Sequence, residues 1–293
     1  MNILSIQSSV TRGHVGNSVA VMALQCLGHD AWPIDTVTFS NHPGHGGFRG
    51  RVTDAALIGE LVQGLIEQGG LGSCDAVLSG YLGALDQGPA LIAAVAAARA
   101  ANPNTLFVLD PVIGDGGPQG GRVYVKPGIA EFLRDQAMPQ ADIATPNAFE
   151  LEFLTGLRAR DTISALAAMD RLRARMGGST RPGGALVVAT GMVLDDRPDK
   201  TLSILGADAG GAWRIGHPAI DHPAYGAGDL FAALLLGRLL NGEGPGDAAA
   251  GAAGAVHHVI ERTAVDGNKD LRIVPNRREL VMPSQCFAIE RIR

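Results

Sequence analysis

The sequence predicts an α/β fold in which helices cover both faces of a mostly parallel β-sheet. Of its 293 residues, 46% are hydrophobic and 18% are charged, which provides enough apolar material for a large buried core. Aromatic residues make up 4%, whereas glycine occurs 40 times, and 40/293 is about 14% against a typical ~7%. Short apolar runs alternate along the chain with longer helical patterns. This alternation predicts right-handed βαβ units packed in three layers.

Six short runs have the character of buried parallel strands. They are rich in β-branched residues or leucine, and they end near Gly, Ser, Asp or Pro. Strands buried on both faces form continuous apolar runs, and open α/β sheets place functional groups at the carboxyl ends of such strands. The predicted strands cover residues 3–6, 37–39, 76–78, 106–109, 143–144 and 186–188.

Helical patterns separate these strands and continue after them. Before the last two helices, residues 201–205 and 212–215 have antiparallel character, which predicts a hairpin closed by the turn-rich residues 206–211. The hairpin would add a small antiparallel edge to the sheet. The predicted helices cover residues 17–28, 54–68, 88–101, 127–136, 147–155, 161–176, 228–241 and 246–262.

The chain is expected to form a single domain over residues 1–293. It contains no stretch long enough to act as an interdomain linker and no internal repeat. Residues 114–121, with the sequence GDGGPQGG, are the one low-complexity passage. Five glycines in eight residues suit a mobile loop over a site, and a plain surface loop explains them equally well.

Charge and cysteine content narrow the choice of partners and compartment. The formal net charge of −5 and the pI near 5.9 argue against nucleic acid as a partner. Cys26, Cys74 and Cys286 have neither a CxxC nor a zinc spacing, which favours a reducing compartment. The first ten residues lack the pattern of a secretory signal, and charges interrupt every apolar stretch before it could span a bilayer. A cytoplasmic protein without a membrane partner is expected.

The most informative motif is YGAGD, residues 225–229, followed by an apolar helical run. A glycine turn at the start of a helix leaves backbone N–H groups unpaired, and these groups form a site for a phosphoryl group. Asp229 would lie beside them and could accept a proton from a substrate hydroxyl. The structural alternative is that Asp229 caps the helix and the glycines close a turn.

Two further acidic segments follow predicted strands. Asp110 and Asp115 leave the strand at 106–109, where they could face Mg²⁺ bound to a nucleotide or could be solvated turn residues. Asn147 and Glu150 follow the strand at 143–144 and have the spacing of a capping box. Glu150 could equally hold a metal-bound water.

Hydroxyl, imidazole and aromatic side chains come from the first half of the chain. Ser8 ends the first strand, and Tyr81 follows the strand at 76–78, where it could stack on a flat ring or pack as an interfacial aromatic. His42 and His45 have a spacing that metal ligands can have, but no third ligand lies nearby in the sequence. A P-loop, a GxGxxG dinucleotide fingerprint at the start of the chain and a GxSxG nucleophile elbow are all absent.

Taken in order, these segments resemble the pyridoxal kinases of the ribokinase-like superfamily. The resemblance runs from the first strand to the last third of the chain and implies a ribokinase-like three-layer α/β/α sandwich. The matching segments are IQS at 6–8, GHVGNS at 13–18, TVTFSNH at 36–42, LSGYLG at 78–83, DPVIGD at 110–115, TPNAFEL at 145–151 and GAGDLFAA at 226–233.

The resemblance implies phosphorylation of the 5′-hydroxymethyl group of pyridoxal by ATP, with Mg²⁺ and, in some members, a monovalent cation. It makes Asp229 the catalytic base and Asp110 and Glu150 the residues that serve the metal and the phosphates, Glu150 partly through water. It also implies a homodimer. The remaining implied contacts are Gly226, Ala227 and Gly228 in the anion hole, Thr145, Thr190, His217, Pro218, Ala219 and Ile220 at the nucleotide, and Ser8, Val15, Pro43, Gly44 and Tyr81, with Asp229, at the vitamer.

The chain departs from the family around the pyridine ring. Family members usually carry His where this chain has Ser9, and Thr and Tyr where it has Pro43 and His45. Proline offers no hydrogen-bond donor, so selectivity among vitamers could differ. Two alternatives therefore stay open. The first is a hydroxymethylpyrimidine or other small-alcohol kinase of the same superfamily, although hydroxymethylpyrimidine kinases tend to carry Cys where this chain has Asp229. The second is a non-catalytic vitamer-binding protein.

Overall fold

The computed structural model describes residues 1–116, 121–177, 179, 181, 183–197 and 201–293. A ten-stranded sheet forms the centre of this part of the chain, and a separate two-stranded sheet joins β6 and β7. The strands are β1 Asn2–Val10, β2 Asp30–Phe39, β3 Gly50–Val52, β4 Cys74–Ser79, β5 Leu106–Leu109, β6 Gly114–Asp115, β7 Arg122–Val123, β8 Ile143–Ala144, β9 Leu186–Met192, β10 Leu202–Asp208, β11 Gly211–His217 and β12 Ile289–Arg291.

Helices pack on both faces of the large sheet. They are α1 Asn17–Cys26, α2 Ala55–Glu67, α3 Gln87–Ala101, α4 Ile129–Phe132, α5 Ala148–Thr155, α6 Thr162–Arg175, α7 Ala227–Leu240, α8 Pro245–Val265 and α9 Arg277–Val281. The longest, α8, is rich in alanine, and among the described residues no helix combines the length and apolarity needed to cross a membrane.

The strand order is β12-β11-β10-β9-β8-β5-β4-β1-β2-β3. The central strands β2, β1, β4, β5, β8 and β9 pair in parallel. The hairpin β10–β11 and then β12 add antiparallel strands on one side, and β3 adds one on the other. The predicted mostly parallel sheet with an antiparallel edge is therefore confirmed.

Two hydrophobic cores lie on the two faces of the sheet. Successive side chains of a strand point to opposite faces, so Ile3 and Leu4 of β1 belong to different cores. Ile3 packs in the core that includes α1, α7 and α8, whereas Leu4 packs in the core that includes α2, α3 and α6. The three layers follow from this alternation.

Several predicted elements are wrong in length. β1 extends beyond residues 3–6 to Val10 and includes the polar residue Gln7, which is buried and donates to the Ser5 hydroxyl at 2.8 Å. The hairpin turn is shorter than 206–211, since Gly206 lies in β10 with the Trp213 ring packed over it. The helix predicted at 127–136 divides into α4 and a π-helical turn, Leu133–Ala137.

The predicted glycine-rich loop at 114–121 is only partly covered by the structure. Its first two residues form β6 and pair with β7, which follows the loop: Gly114 pairs with Val123, and Asp115 pairs with Arg122. Residues 117–120, on which the loop-over-a-site hypothesis depends, lie outside the described residues. The hypothesis stays a prediction.

One edge of the sheet collects the candidate segments. The parallel strands β1, β4, β5, β8 and β9 all end at this edge. β10 is antiparallel to β9, and β11 is antiparallel to β10, so β11 ends at the same edge as the parallel strands. His217, at the end of β11, therefore lies on the same side of the sheet as Thr145. The topology therefore gathers residues that are far apart in the sequence along one crevice.

Candidate active site

The YGAGD turn lies against the loop that follows β1. Gly226 has a φ of 92° and precedes α7, and a Cβ atom at this position would collide with the carbonyl oxygen of His14. Only glycine fits both the left-handed conformation and the close approach. The N-cap residue Gly226 makes no side-chain bond to α7, and the N–H of Ala227 makes a long bond of 3.4 Å to Ala224 O, so the start of this helix can receive an anion.

Asp229 stands in the first turn of α7 and reaches across the crevice. Its Oδ2 accepts a hydrogen bond of 2.8 Å from the backbone N–H of Gly16. Burial raises the pKa of the Asp229 carboxyl, and the bond from Gly16 opposes that rise. The alternative that Asp229 caps its own helix is wrong, since the carboxylate is bonded to a different loop.

Asp110 and Thr145 lie next to each other at the ends of β5 and β8. The Thr145 hydroxyl donates to Asp110 Oδ1 at 3.2 Å, and both side chains are buried. Burial raises the pKa of the Asp110 carboxyl well above its usual range, and the carboxylates of Glu150 and Asp229 add to the rise. Asp110, Glu150 and Asp229 thus share one electrostatic environment and form the acidic cluster of the site.

Asn147 and Glu150 form the predicted capping box at the start of α5. The Asn147 side chain accepts from Glu150 N at 2.9 Å, and Glu150 Oε2 accepts from Asn147 N at 2.9 Å. The second carboxylate oxygen of Glu150 accepts from Ile113 N at 2.9 Å and Gly114 N at 3.4 Å. Burial nevertheless raises the pKa of Glu150 to about 8. Glu150 therefore ties the segment after β5 to α5 and contributes to the acidic cluster.

Tyr124 belongs to this cluster although no motif indicated it. Its side chain is 46% exposed, and partial desolvation of the phenol raises its pKa, as do the carboxylates of Asp115 and Glu150. Its backbone N–H donates to Ile113 O at 3.1 Å. A single tyrosine after a glycine-rich passage has no distinctive spacing, and its position was visible only in the fold.

The residues predicted at the nucleotide extend along the same edge. Thr190 N donates to Pro146 O at 2.9 Å, and Thr190 forms a parallel bridge with Asn147. His217 ends β11, and its ring contacts His257 and Phe287. Burial lowers the pKa of His217. Pro218 and Ala219 are exposed and Ile220 is half-buried, so this segment lies at the surface beyond the end of β11.

The residues predicted at the vitamer surround the other end. Ser8 is buried beside Gly16, where a Cβ atom would collide with the backbone oxygen of Ser8, and Val15 is also buried. Tyr81 is half-buried, and burial raises the pKa of its phenol. Ser9 lies 3.3 Å from the hydroxyl of Ser18.

The loop that carries Pro43 and Gly44 contacts the YGAGD turn directly. The His42 ring stacks on Tyr225 with centroids 4.1 Å apart, and His45 Nε2 lies 2.8 Å from Asp270 Oδ1. Both imidazoles are thus engaged with protein groups, and the described residues contain no cluster of three or more metal-ligating side chains. Asp270 is a second residue that the sequence did not indicate.

The arrangement is suited to phosphoryl transfer onto an alcohol. It combines a helix start that has no side-chain cap, a carboxylate in its first turn and further acids within the same crevice, with hydroxyl and aromatic groups at one end. Such a site places an acceptor hydroxyl next to a base and stabilises the transferred group by fixed dipoles.

Known proteins similar to this chain include several kinases. The family described as phosphomethylpyrimidine kinase matches residues 72–273. A pyridoxal kinase of Rubrobacter xylanophilus is 44% identical over 292 residues, which cover 100% of this chain and 98% of the relative. A pyridoxal kinase of Corynebacterium diphtheriae is 39% identical over 292 residues and is covered completely, as is this chain. A pyridoxal kinase from Leishmania donovani, solved with ADP and pyridoxamine, aligns with a TM-score of 0.87 at 30% identity and covers 100% of this chain and 99% of its own.

Proposed function

The chain belongs to the pyridoxal kinase family, and we propose that it transfers the γ-phosphoryl group of ATP to the 5′-hydroxymethyl group of pyridoxal. The observation that carries this proposal is the position of Asp229, a desolvated carboxylate in the first turn of α7 beside uncapped amides. A base and an anion site within one helical turn are what transfer to a hydroxyl requires.

Asp229 is the general base in this proposal. Its carboxylate accepts the proton of the substrate hydroxyl as that oxygen attacks the γ-phosphorus, and the bond from phosphorus to the ADP oxygen breaks. The N–H groups of Gly226, Ala227 and Gly228 hold the transferred phosphoryl group. Burial raises the pKa of Asp229 and so strengthens it as a base, while the Gly16 bond fixes its orientation.

Mg²⁺ fits the acidic cluster. Asp110 and Glu150 are buried carboxylates whose charges repel each other, and a hard cation would relieve that repulsion. Mg²⁺ usually binds through one or two carboxylates together with water and substrate phosphates, so two protein carboxylates would suffice. Asp110 would hold the metal directly and Glu150 through water. When bound, Mg²⁺ neutralises charge on the phosphates.

ATP would lie along the edge of the sheet from the anion turn to the end of β11. Thr145 and Thr190 are positioned beside the acidic cluster and would contact the phosphates. The segment His217, Pro218, Ala219 and Ile220 would line the adenine pocket. A monovalent cation requirement, which the resemblance suggests for some members, is tested by comparing potassium and sodium salts in the assay below.

Pyridoxal would occupy the end of the crevice formed by the loops after β1 and β2. Ser8 would bond to the pyridine ring, Tyr81 would flank it, and Val15, Pro43 and Gly44 would complete the pocket. This end is adjacent to Asp229, because Gly16 lies between Ser8 and the Asp229 carboxylate. The 5′-hydroxymethyl group would then point towards the base.

We also propose a cytoplasmic homodimer, as the family resemblance and the cysteine pattern suggest. Leu57 and Leu61 lie one turn apart on α2 and are each 45% exposed, so they provide an apolar face for a second copy. Sedimentation velocity of the wild type and of Leu61→Glu tests this: a dimer that the substitution converts to monomer is expected, and a monomeric wild type would contradict it.

The decisive experiment is a coupled ADP-release assay with Mg-ATP against pyridoxal, pyridoxine, pyridoxamine, hydroxymethylpyrimidine and ribose. Preference for pyridoxal, with product absorbance confirming pyridoxal 5′-phosphate, is the expected result. Preference for hydroxymethylpyrimidine would favour the second candidate, to which the matched family description points. Binding of pyridoxal without turnover would identify a non-catalytic vitamer-binding protein.

A further inference from the structure

His45 and Asp270 connect two loops that are far apart in sequence. His45 belongs to a 3₁₀ turn, Pro43–His45, that follows β2, whereas Asp270 follows α8. Their side chains meet at 2.8 Å and are 29% and 18% exposed. Partial shielding from water makes such a contact stronger than an open surface pair.

Tyr225 lies at the centre of this connection. Its hydroxyl donates to the carbonyl of Gly44 at 2.9 Å, and its ring meets the His45 ring edge-on, with centroids 5.3 Å apart. Its backbone N–H donates to Lys269 O at 2.9 Å, and the residue forms a parallel bridge with Asp270. Tyr225 is therefore bound to both partners of the His45–Asp270 pair.

The same carboxylate also approaches the loop after β1. A Cβ atom built on Gly13 would lie 2.8 Å from Asp270 Oδ1. Three segments around the proposed vitamer site thus converge on one acidic side chain: the loop with Pro43 and Gly44, the loop with Gly13, and the turn that begins at Tyr225.

We propose that His45 and Asp270 form a latch that closes residues 42–45 over the vitamer end of the crevice and fixes the residue that leads into the anion turn. Both are positioning residues, since they act through Gly44 and Tyr225 and not on the reacting atoms. This inference rests on the proposed kinase activity and adds a determinant of vitamer retention to it.

The latch predicts how the kinetic constants change when the pair is lost. Opening the loop removes contacts to the bound vitamer and leaves Asp229 and the acidic cluster in place, so the KM for pyridoxal should rise more than kcat falls. The KM for ATP should stay unchanged, because the nucleotide residues lie towards the other end of the crevice. Loss of the pair should raise the KM for pyridoxal roughly fivefold, which corresponds to about 1 kcal/mol.

The test is a double-mutant cycle of His45→Ala and Asp270→Ala in the full chain. Each single variant should raise the KM for pyridoxal, and the double variant should be no worse than either single one, because the pair acts as a unit. His45→Gln retains a donor near Asp270 and should restore most of the affinity. The matched control is the Asp266–Arg272 pair at 2.9 Å, which lies near Asp270 in sequence and, within the described part of the chain, has no hydrogen bond or ion pair with residues 42–45.

Hydrogen exchange without substrate separates failure of the latch from failure of the proposed function. Amides of residues 41–47 should exchange faster in His45→Ala and Asp270→Ala than in the wild type or in Arg272→Ala. Equal exchange in all four proteins, or additive effects of the two alanine variants on KM, would overturn the latch. If the wild type does not phosphorylate pyridoxal, the proposed function fails, and the exchange comparison still decides whether the pair holds the loop.

Discussion

The backbone N–H of Gly16 donates a hydrogen bond of 2.8 Å to Asp229 Oδ2, which joins residues 213 positions apart. This bond holds the proposed base in one orientation and moderates the rise of its pKa that burial causes. It also brings the loop after β1, beside Ser8, into contact with the turn that would hold the transferred phosphoryl group. The Gly16 donor is therefore one of the contacts that position the two halves of the site relative to each other.

Gly16→Ala should disrupt this connection. Gly16 has φ and ψ of 53° and −133°, and a Cβ atom there would collide with the backbone oxygen of Ser8. The loop must move, so we expect a loss of about 2 kcal/mol or more in unfolding free energy and a fall in kcat of at least about tenfold. Urea denaturation and steady-state kinetics measure the two effects.

Gly28→Ala is the matched control for this substitution. Gly28 also has a positive φ, 86°, but a Cβ atom there would have no neighbour within 4 Å. The cost should be limited to about 1 kcal/mol of backbone strain, with kcat unchanged. Equal stability and equal kcat in the two alanine variants would show that the close approach of Gly16 to Ser8 is unimportant.

Asp229→Asn should abolish most of the turnover while preserving the binding of ATP. The amide has nearly the same shape as the carboxylate, but it cannot accept the proton of the substrate hydroxyl. We expect kcat to fall by roughly 10²–10⁴, the usual contribution of a general base, with the Kd for ATP within about twofold of the wild type. Near-normal turnover would remove Asp229 from the base role.

The sequence predicted the central strands well and the polar extensions poorly. The apolar runs at 106–109 and 143–144 match β5 and β8 at both ends, because a strand buried on both faces is apolar throughout. The polar residues from Gln7 onwards hid the length of β1, since the burial of Gln7 depends on its bond to Ser5, which in turn donates to Asn17 of α1. A local sequence pattern does not show which distant residues a polar strand residue will bond to.

The same distinction applies to the site. Asp229 and Glu150 could be predicted because each lies in a short motif with a local physical meaning, a glycine turn before a helix and a capping box. Asp270 could not, because its contact with His45 spans 225 positions and has no characteristic spacing. Tyr124 faces the acids only because the β6–β7 hairpin brings it there.

Glu150 should make the metal-free protein less stable as the pH rises. The pKa of Glu150 is raised to about 8 in the folded state from an unfolded value near 4.5, so the folded state binds the proton more tightly. Stability is therefore fully present below about pH 4.5, decreases as the pH rises, and is lowest above about pH 8. The raised pKa of Asp110 acts in the same direction.

Thermal unfolding in EDTA at pH 5.5 and pH 8 measures this effect. The melting temperature should fall between the two values in the wild type and in the exposed control Glu60→Gln, and it should fall less in Glu150→Gln. Adding Mg²⁺ with ATP at pH 8 should restore stability in the wild type by binding the folded state. The same pH dependence in Glu150→Gln and the wild type would rule out Glu150 as its source.

Pro43→Thr should tighten the binding of pyridoxal, because it adds a hydroxyl at a position where the family usually carries one. Pro43 begins the 3₁₀ turn that Tyr225 holds through Gly44, and threonine can occupy it without breaking a backbone bond, since proline donates none. One neutral hydrogen bond contributes about 0.5–1.5 kcal/mol, so the KM should fall roughly two- to tenfold with kcat unchanged. Pro43→Val has the shape of threonine without the hydroxyl and should leave the KM near the wild-type value. If the valine variant lowers the KM as much as the threonine variant, release of the proline ring is responsible and the loop recognises the vitamer without a hydroxyl at position 43.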